Sequence, residues 1–435
     1  MTARLIALAL AAALVLAACR SLSGSAKNDP ILGSAWTAWE RGELTQAEIQ
    51  AHRLLSDPRS VDAGHLLLAL VAHVQGRHRS AIAHYEHIDP HYRWRDKLTE
   101  PILWSHLGAG NFDDAITLAR RYRLGQVTID RIRLAQERPL AVSIAGVVEL
   151  PFTRDELSAY MPGVEGTLNG HKIVARLDTG GRYLHVSTET AERLGIKTIG
   201  CDSGFASLSR TRLCYGLADL ELGPVRLANV PVTVHAEGLS PAPLAEHFDS
   251  PMDAVIGTCI LKQFLATVDG PNERVLLSAR DDALAASEHV GRLQGAASEV
   301  PFAVWGDHLM IAHGKLAGRG ATNLFVDSGL VMATPDQGQA SLLLSARRLK
   351  TLQVPVAPNV PFTPIPNKSG FSGAYREDLL AYPVRQSIWR GYGDWGGMDV
   401  AALIGWGYLK HYSWTIDFGR RMFVFRLRQR GGHPG

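Results

Sequence analysis

The chain writes one pattern twice. The first copy runs Glu149-Leu150-Pro151-Phe152, then Arg176-Leu177-Asp178-Thr179-Gly180, then Val255-Ile256-Gly257, and closes on Thr267-Val268-Asp269. The second runs Glu299-Val300-Pro301-Phe302, Phe325-Val326-Asp327-Ser328-Gly329, Leu403-Ile404-Gly405 and Thr415-Ile416-Asp417. Pro to Asp spans 27 then 26 positions, Asp to the later Gly 79 then 78, and that Gly to the last Asp 12 in both copies. Leu261-Lys262 and Leu409-Lys410 also fall in register. Repetition on this scale predicts two pseudo-symmetric halves built on one supersecondary plan, with Asp178 and Asp327 in matching places.

A lone Asp-Ser-Gly is an ordinary turn after a strand. The conjunction is more specific: apolar strand, Asp-Thr/Ser-Gly, a long excursion, two apolar residues with Gly, and a helix start. On these residues the segment from 137 to 430 resembles the retropepsin-like and pepsin-like aspartic proteases. The resemblance implies a mainly β, bilobal barrel fold with lobes at 137–280 and 299–430. The stretch 281–298, rich in Ala, Ser and Gly, reads as the connection between them. With both halves in one chain, the catalytic unit is expected to be monomeric.

The chemistry explains the residue types. Water attacks a peptide carbonyl when a base removes its proton while an acid protonates the carbonyl oxygen. Two carboxylates in contact cannot both ionise cheaply, so the pair holds one proton and offers both functions. The resemblance assigns that dyad to Asp178 and Asp327. It gives Gly180 and Gly329 the task of letting backbone pass close to the carboxylates, and Thr179 and Ser328 a hydrogen-bonded link across the pseudo-twofold. Pepsin-like sites carry a hydroxyl residue three positions past each Asp. Here those positions are Gly181 and Leu330, so activity is expected between mildly acidic and neutral pH.

Water must be excluded once a peptide is bound. Ser203-Gly204-Phe205 and Ser369-Gly370-Phe371 occupy the same interval of each half, and Gly204, Phe205, Gly370 and Phe371 are expected to tip two covering hairpins. Trp389 and Trp395 in the second interval suggest a longer lid or cleft wall, against the alternative of a satellite hydrophobic cluster. Cys201 and Cys214 flank the first hairpin and read either as a bridge or as two buried thiols, while Cys259 reads as a small buried residue.

Arg4 precedes an apolar run from Leu5 to Leu16, short for a membrane span and suited to a secretory signal. Leu16-Ala17-Ala18-Cys19 resembles the bacterial lipoprotein processing site, which implies a signal at 1–18, lipid on Cys19 and a tether at 19–30. The alternative is an ordinary cleaved signal. Residue 20 is Arg, not Asp, so the periplasmic face of the outer membrane is the expected address. The periplasm is oxidising, in keeping with a disulfide.

Residues 31–135 differ in character, rich in Ala, Leu, His and Trp at helical spacing. Gly42, Gly76 and Gly110 recur every 34 residues, with Ala47, Ala81 and Ala115 five positions after each. This resembles tetratricopeptide repeats, which implies helix pairs stacked into a scaffold for a protein partner. An unrelated helical bundle is the alternative. Among His73, His78, His84, His87 and His91, His84 and His87 share a helical face, yet no zinc spacing is met and no metal or other cofactor is expected.

Composition fits a globular body. Of 435 residues 46% are hydrophobic and 20% charged, and 45 basic against 42 acidic side chains give a net charge of +3, with no basic run long enough to argue for nucleic acid. Two function classes follow. One is a lipid-anchored endopeptidase acting on envelope polypeptides. The other is a protease-fold binding lipoprotein that recognises partners through its helices. Both Asp residues with both hydroxyl neighbours favour the enzyme, because a binding module has no need of two adjacent carboxylates. No Gly-x-Ser-x-Gly elbow lies near the site to support a serine hydrolase.

Overall fold

Gly42, Gly76 and Gly110 adopt left-handed backbone, with φ of 69°, 68° and 80°, a conformation that favours a residue without Cβ. Each ends the first helix of a pair: α1 (Pro30–Glu40) and α2 (Leu44–Leu54), α3 (Val61–Val74) and α4 (His78–Glu86), α5 (Thr99–Gly108) and α6 (Phe112–Arg121). The closures are alike. The N–H groups of Glu43, Arg77 and Asn111 donate to the carbonyls of Ala38, Ala72 and His106 at 2.9, 2.8 and 2.8 Å, the long-range bond of a Schellman turn. Ala47, Ala81 and Ala115 are fully buried where the second helix of each pair meets its neighbours.

The computed structural model describes residues 30–206, 209–236, 238–239, 252–334, 338–356, 360–386, 389 and 395–427. Residues 1–29, with the expected signal and Cys19, lie outside them. No helix among the described residues is long and apolar enough to cross a membrane. The chain forms two compact units. The helical one extends to Gly125 and also takes in Ala303–Asp307 and Tyr392–Val400; the other holds Gln126–Phe302, His308–Gly391 and Ala401 onward.

Two segments group otherwise than their place in the sequence suggests. Helix α7 (Gln126–Glu137) belongs to the β unit, not to the helical segment ending at 135. Its Arg131 guanidinium lies 3.8 Å over the Tyr215 ring, and Ile129 and Ile132 are buried. Periodicity shows that a helix forms but not which body its apolar face serves. Similarly, the turn Trp395–Gly397, expected in a lid or cleft wall, lies in the helical unit, where Trp39 Nε1 donates to the Gly396 carbonyl at 2.7 Å and the Asp399 N–H donates to the Glu40 carbonyl at 2.8 Å.

In the β unit the first half contributes β1 (Val147–Pro151), β2 (Gly163–Leu168), β3 (His171–Asp178), β4 (Leu184–Ser187), β5 (Thr198–Ala206), β6 (Ser209–Leu222), β7 (Val225–His235), β8 (Ala254–Gly257), β9 (Phe264–Asp269) and β10 (Arg274–Ala279). The second contributes β11 (Ala297–Trp305), β12 (Leu309–Leu316), β13 (Arg319–Val326), β14 (Leu342–Ser345), β15 (Ser369–Phe371), β16 (Ala374–Arg376), β17 (Leu379–Val384), β18 (Val400–Ile404), β19 (Ser413–Asp417) and β20 (Met422–Arg426). One sheet runs β7-β4-β8-β3-β2 and another β17-β14-β18-β13-β12, the same order in both halves.

The parallel and antiparallel choices repeat too. β4 runs parallel to β7 and antiparallel to β8, and β14 likewise to β17 and β18. Of these strands β8, β14 and β18 are nearly all aliphatic and buried on both faces, as in Ala-Val-Ile-Gly of β8.

The second of these sheets continues past β12 into a six-strand ladder, β11-β20-β19-β9-β10-β1, shared by the halves. Its middle pair is the repeated Thr-x-Asp motif: Thr267 faces Thr415 in antiparallel register, their hydroxyls 2.7 Å apart. His289 lies on helix Ala283–Gly291, capped by the Asp282 carboxylate, and joins Thr267 and Ser278 at 2.7 and 3.0 Å. The stretch read as a plain connection therefore contains a helix that seals this sheet.

Cys201 and Cys214 are directly paired across β5 and β6 and form a disulfide. It closes a 13-residue separation, so Cys201→Ser with Cys214→Ser is expected to lower unfolding free energy by about 2 to 3 kcal/mol in a denaturant titration.

Candidate active site

Strand β3 ends on Asp178 and β13 on Val326, just before Asp327. Each Asp stands where a strand stops and a tight turn begins. Gly181 N–H donates to the Asp178 carbonyl at 3.1 Å, and Leu330 N–H to the Asp327 carbonyl at 3.1 Å.

The turns are locked together by a reciprocal set of hydrogen bonds. Thr179 N–H donates to Ser328 Oγ at 3.0 Å, and Ser328 N–H to Thr179 Oγ1 at 2.9 Å. Each hydroxyl then donates to a carbonyl of the opposite strand, Thr179 to Val326 at 3.1 Å and Ser328 to Leu177 at 3.1 Å. Thr179 is fully buried and Ser328 1% exposed, so water does not compete for these bonds.

This lock brings the carboxyls together. A Cβ added to Gly180 would lie 2.6 Å from Asp327 Oδ1, and one added to Gly329 would overlap the Asp178 carboxyl. Each glycine is required because the other half's carboxylate occupies the space of a side chain. Gly180 N–H donates to Asp178 Oδ1 at 2.7 Å and Gly329 N–H to Asp327 Oδ1 at 3.1 Å.

Burial, then the neighbouring Asp178 charge and a hydrogen bond with that carboxyl, hold the Asp327 carboxyl well above the usual carboxylate range. The glycines of the apolar-apolar-Gly segments are dictated from beneath. A Cβ at Gly257 would come 2.5 Å from the Gly181 carbonyl carbon, and one at Gly405 2.9 Å from Leu330 Cβ.

The two segments expected as covers lie in different settings. Gly204 and Phe205 lie on β5 of the β5–β6 hairpin, opposite Thr211 and Arg210; their side chains and residues 207–208 lie outside the described residues. Gly370 and Phe371 are no cover. Phe371 is fully buried, its ring stacked on Phe425 at 5.4 Å, and its N–H donates to the Tyr408 hydroxyl at 3.3 Å. β15 pairs with β12 and β16, and a Cβ at Gly370 would meet the Tyr408 ring. The repeated Ser-Gly-Phe is a coincidence of composition: in the second half the aromatic ring serves the core.

Other residues escaped the sequence reading. Arg176, two residues before Asp178, is fully buried; it pairs with Asp155 at 2.9 Å and donates to Ser158 Oγ at 2.9 Å, tying the turn Glu156–Ala159 to the strand that ends on Asp178. An arginine between the apolar Ala175 and Leu177 was the available signal. Behind the first turn stand His185 and His235, with Nδ1 and Nε2 2.8 Å apart. Among the described residues no three His, Cys, Asp or Glu side chains are grouped as metal ligands. In the helical unit His84 instead meets His65, their Nδ1 atoms 3.2 Å apart.

Residues 164–257 match the family described as aspartyl protease, a range that holds Asp178-Thr179-Gly180 and Val255-Ile256-Gly257. The match ends before Asp327, whose equivalence rests on the internal repeat and the lock. No curated protein matches the chain. Among solved structures it is similar to conglutin gamma, a basic 7S globulin from lupine seeds, at 10% identity over 65% of this chain and 95% of that one, with a TM-score of 0.41. Aspartic proteinase from Irpex lacteus gives 10% identity over 65% and 97%, with a TM-score of 0.40. A retropepsin-like aspartic protease from Rickettsia conorii gives 18% over 32% and 92%, with a TM-score of 0.22.

The Asp327 carboxyl makes a signed prediction. Because its folded pKa is raised, its contribution is most favourable below the unfolded carboxyl pKa and is lost as pH rises through the folded value. Asp327→Asn should therefore be more stable than wild type at pH 7, and the difference in melting temperature should shrink toward zero near pH 4. A difference that stays constant over this range would contradict the assignment.

Proposed function

We propose that the chain is an aspartic endopeptidase that hydrolyses peptide bonds with a water held between Asp178 and Asp327. The carrying observation is the face-to-face placement of two carboxyls by the reciprocal Thr179–Ser328 bonds. Asp327, whose carboxyl is held protonated by burial and by the neighbouring Asp178 charge, is the acid; Asp178 is the base.

The water oxygen adds to the carbonyl carbon as Asp178 takes its proton and Asp327 gives its own to the carbonyl oxygen. The neutral tetrahedral intermediate then collapses. The C–N bond breaks, the amide nitrogen receives the proton from Asp178, and the gem-diol returns one to Asp327, so each carboxyl ends as it began. The β5–β6 hairpin, braced by the Cys201–Cys214 disulfide, is the element suited to cover a bound peptide.

The chain is further read as a lipoprotein held by Cys19 at the periplasmic face of the outer membrane, with substrates among envelope polypeptides. Its paired helices are read as tetratricopeptide-like, a reading supported by the three alike Gly-centred closures at 34-residue spacing, and as the seat of a protein partner.

Asp178→Ala and Asp327→Ala should each reduce cleavage of an unfolded polypeptide by at least about a hundredfold, with both variants remaining folded. Equal cleavage by wild type and both variants would refute the assignment. A silent wild type whose helical part nevertheless captures an envelope protein would favour the binding class instead. The rate profile should fall on its alkaline side above the ordinary carboxylate range, where Asp327 loses the proton it must donate. An optimum far into acid would count against it.

A further inference from the structure

We propose that His185 is a positioning residue for Asp178: its imidazole, backed by His235, holds the turn after Asp178 from behind and so sets where that carboxyl stands against Asp327. The kinetic arm of the test rests on the hydrolase reading above; the stability arm does not.

The two pseudo-symmetric turns are supported by different means. In the second, the position three past the Asp is Leu330, buried against Gly405. In the first that position is Gly181, which has no side chain to give. The room is taken by His185, since a Cβ at Gly181 would lie 3.1 Å from His185 Nε2. That nitrogen accepts the Arg182 N–H at 3.2 Å.

The protons follow from this bond. A ring nitrogen that accepts an N–H carries no hydrogen itself, so neutral His185 has its proton on Nδ1. His185 Nδ1 then donates to His235 Nε2 at 2.8 Å, which leaves the His235 proton on its own Nδ1. Only one tautomer of each ring satisfies both bonds. His235 is anchored as part of β7, registered against Ser187 of β4 and Leu213 of β6.

The rest of the turn is tied from the other side. Thr258 N–H donates to the Gly181 carbonyl at 2.9 Å and Cys259 N–H to the Arg182 carbonyl at 2.6 Å. The histidine thus holds the remaining donor of a segment whose carbonyls are already held. The charged and titratable groups facing it are His235 on β7, His308 from the turn before β12, and Arg182 in the turn itself. Burial and these three push His185 down to about 3, and burial pushes His235 to about 4, so the pair stays neutral across the range in which the dyad works.

The test compares wild type, His185→Gln and His185→Leu, each with and without Asp327→Asn. Gln restores an acceptor at the distal position; Leu fills the space and accepts nothing. Two quantities are read: kcat and KM for a peptide, and the growth, from pH 4 to pH 7, of the melting-temperature difference between each protein and its Asp327→Asn partner. That growth reports how strongly the Asp178 carboxylate acts on Asp327.

For His185→Leu we expect kcat to fall about 10- to 100-fold with KM within about twofold, and the pH-dependent growth to drop below half its wild-type size. His185→Gln should keep kcat within about threefold and retain the growth. If His185→Leu fails to fold, His185→Asn takes its place with the same expected loss, because it keeps a donor toward His235 and withdraws the acceptor from Arg182. A His185→Leu protein that merely melts lower, with kcat and the growth intact, overturns the proposal. If wild type cleaves nothing, the hydrolase reading falls while the growth still decides the role of His185.

Discussion

The meeting of the two carboxyls in this molecule hangs on four buried hydrogen bonds between Thr179 and Ser328 and the strands opposite them. Two carboxyls repel when ionised and would separate if each stood on a free loop. Here each turn is bonded to the backbone of the other half, so separating the carboxyls means breaking buried bonds that no water can replace. The glycines follow from the same constraint. Once the turns are this close, Gly180 and Gly329 have no room for side chains, and Gly257 and Gly405 must pass under the turns without touching them. Asp327 keeps its proton for the same reason: it is buried beside a like group that cannot retreat.

The repeated segments made the two-half plan, the strands leading to both Asp residues and the later Gly positions legible before any coordinates. They succeed because each is fixed by a local steric or hydrogen-bonding demand that only one or two residue types meet. Ser-Gly-Phe did not behave this way. Nothing in three residues distinguishes a hairpin tip from a short strand laid on a core, and Phe371 is resolved only by Phe425 and Tyr408, far away in sequence. The His185–His235 pair was invisible for a related reason. Its partners lie 50 residues apart, and its meaning depends on the side chain that Gly181 lacks.

The helical part shows what periodicity gives and withholds. Three glycines at equal spacing signalled repeated helix pairs; that each sits in left-handed backbone where the first helix of its pair stops is seen in the structure. The same spacing could not tell that α7 leaves the stack to pack by the β5–β6 hairpin through Arg131 and Tyr215. Nor could it tell that Ala303–Asp307 and Tyr392–Val400, deep in the second half's sequence, belong to the helical unit. Chain order and spatial grouping part company where a long excursion leaves one body for another.

The shared sheet has a consequence for the life of fragments. Three of its strands come from each half, and the seam runs between Phe264–Asp269 and Ser413–Asp417. A protease nick near residue 292, followed by separation, would leave either piece with a bare ladder of backbone donors and acceptors along a largely buried strand. Such an edge pairs readily with its own kind. Clipped forms of this chain are therefore candidates for self-association through that seam, in an arrangement that copies the join they lost.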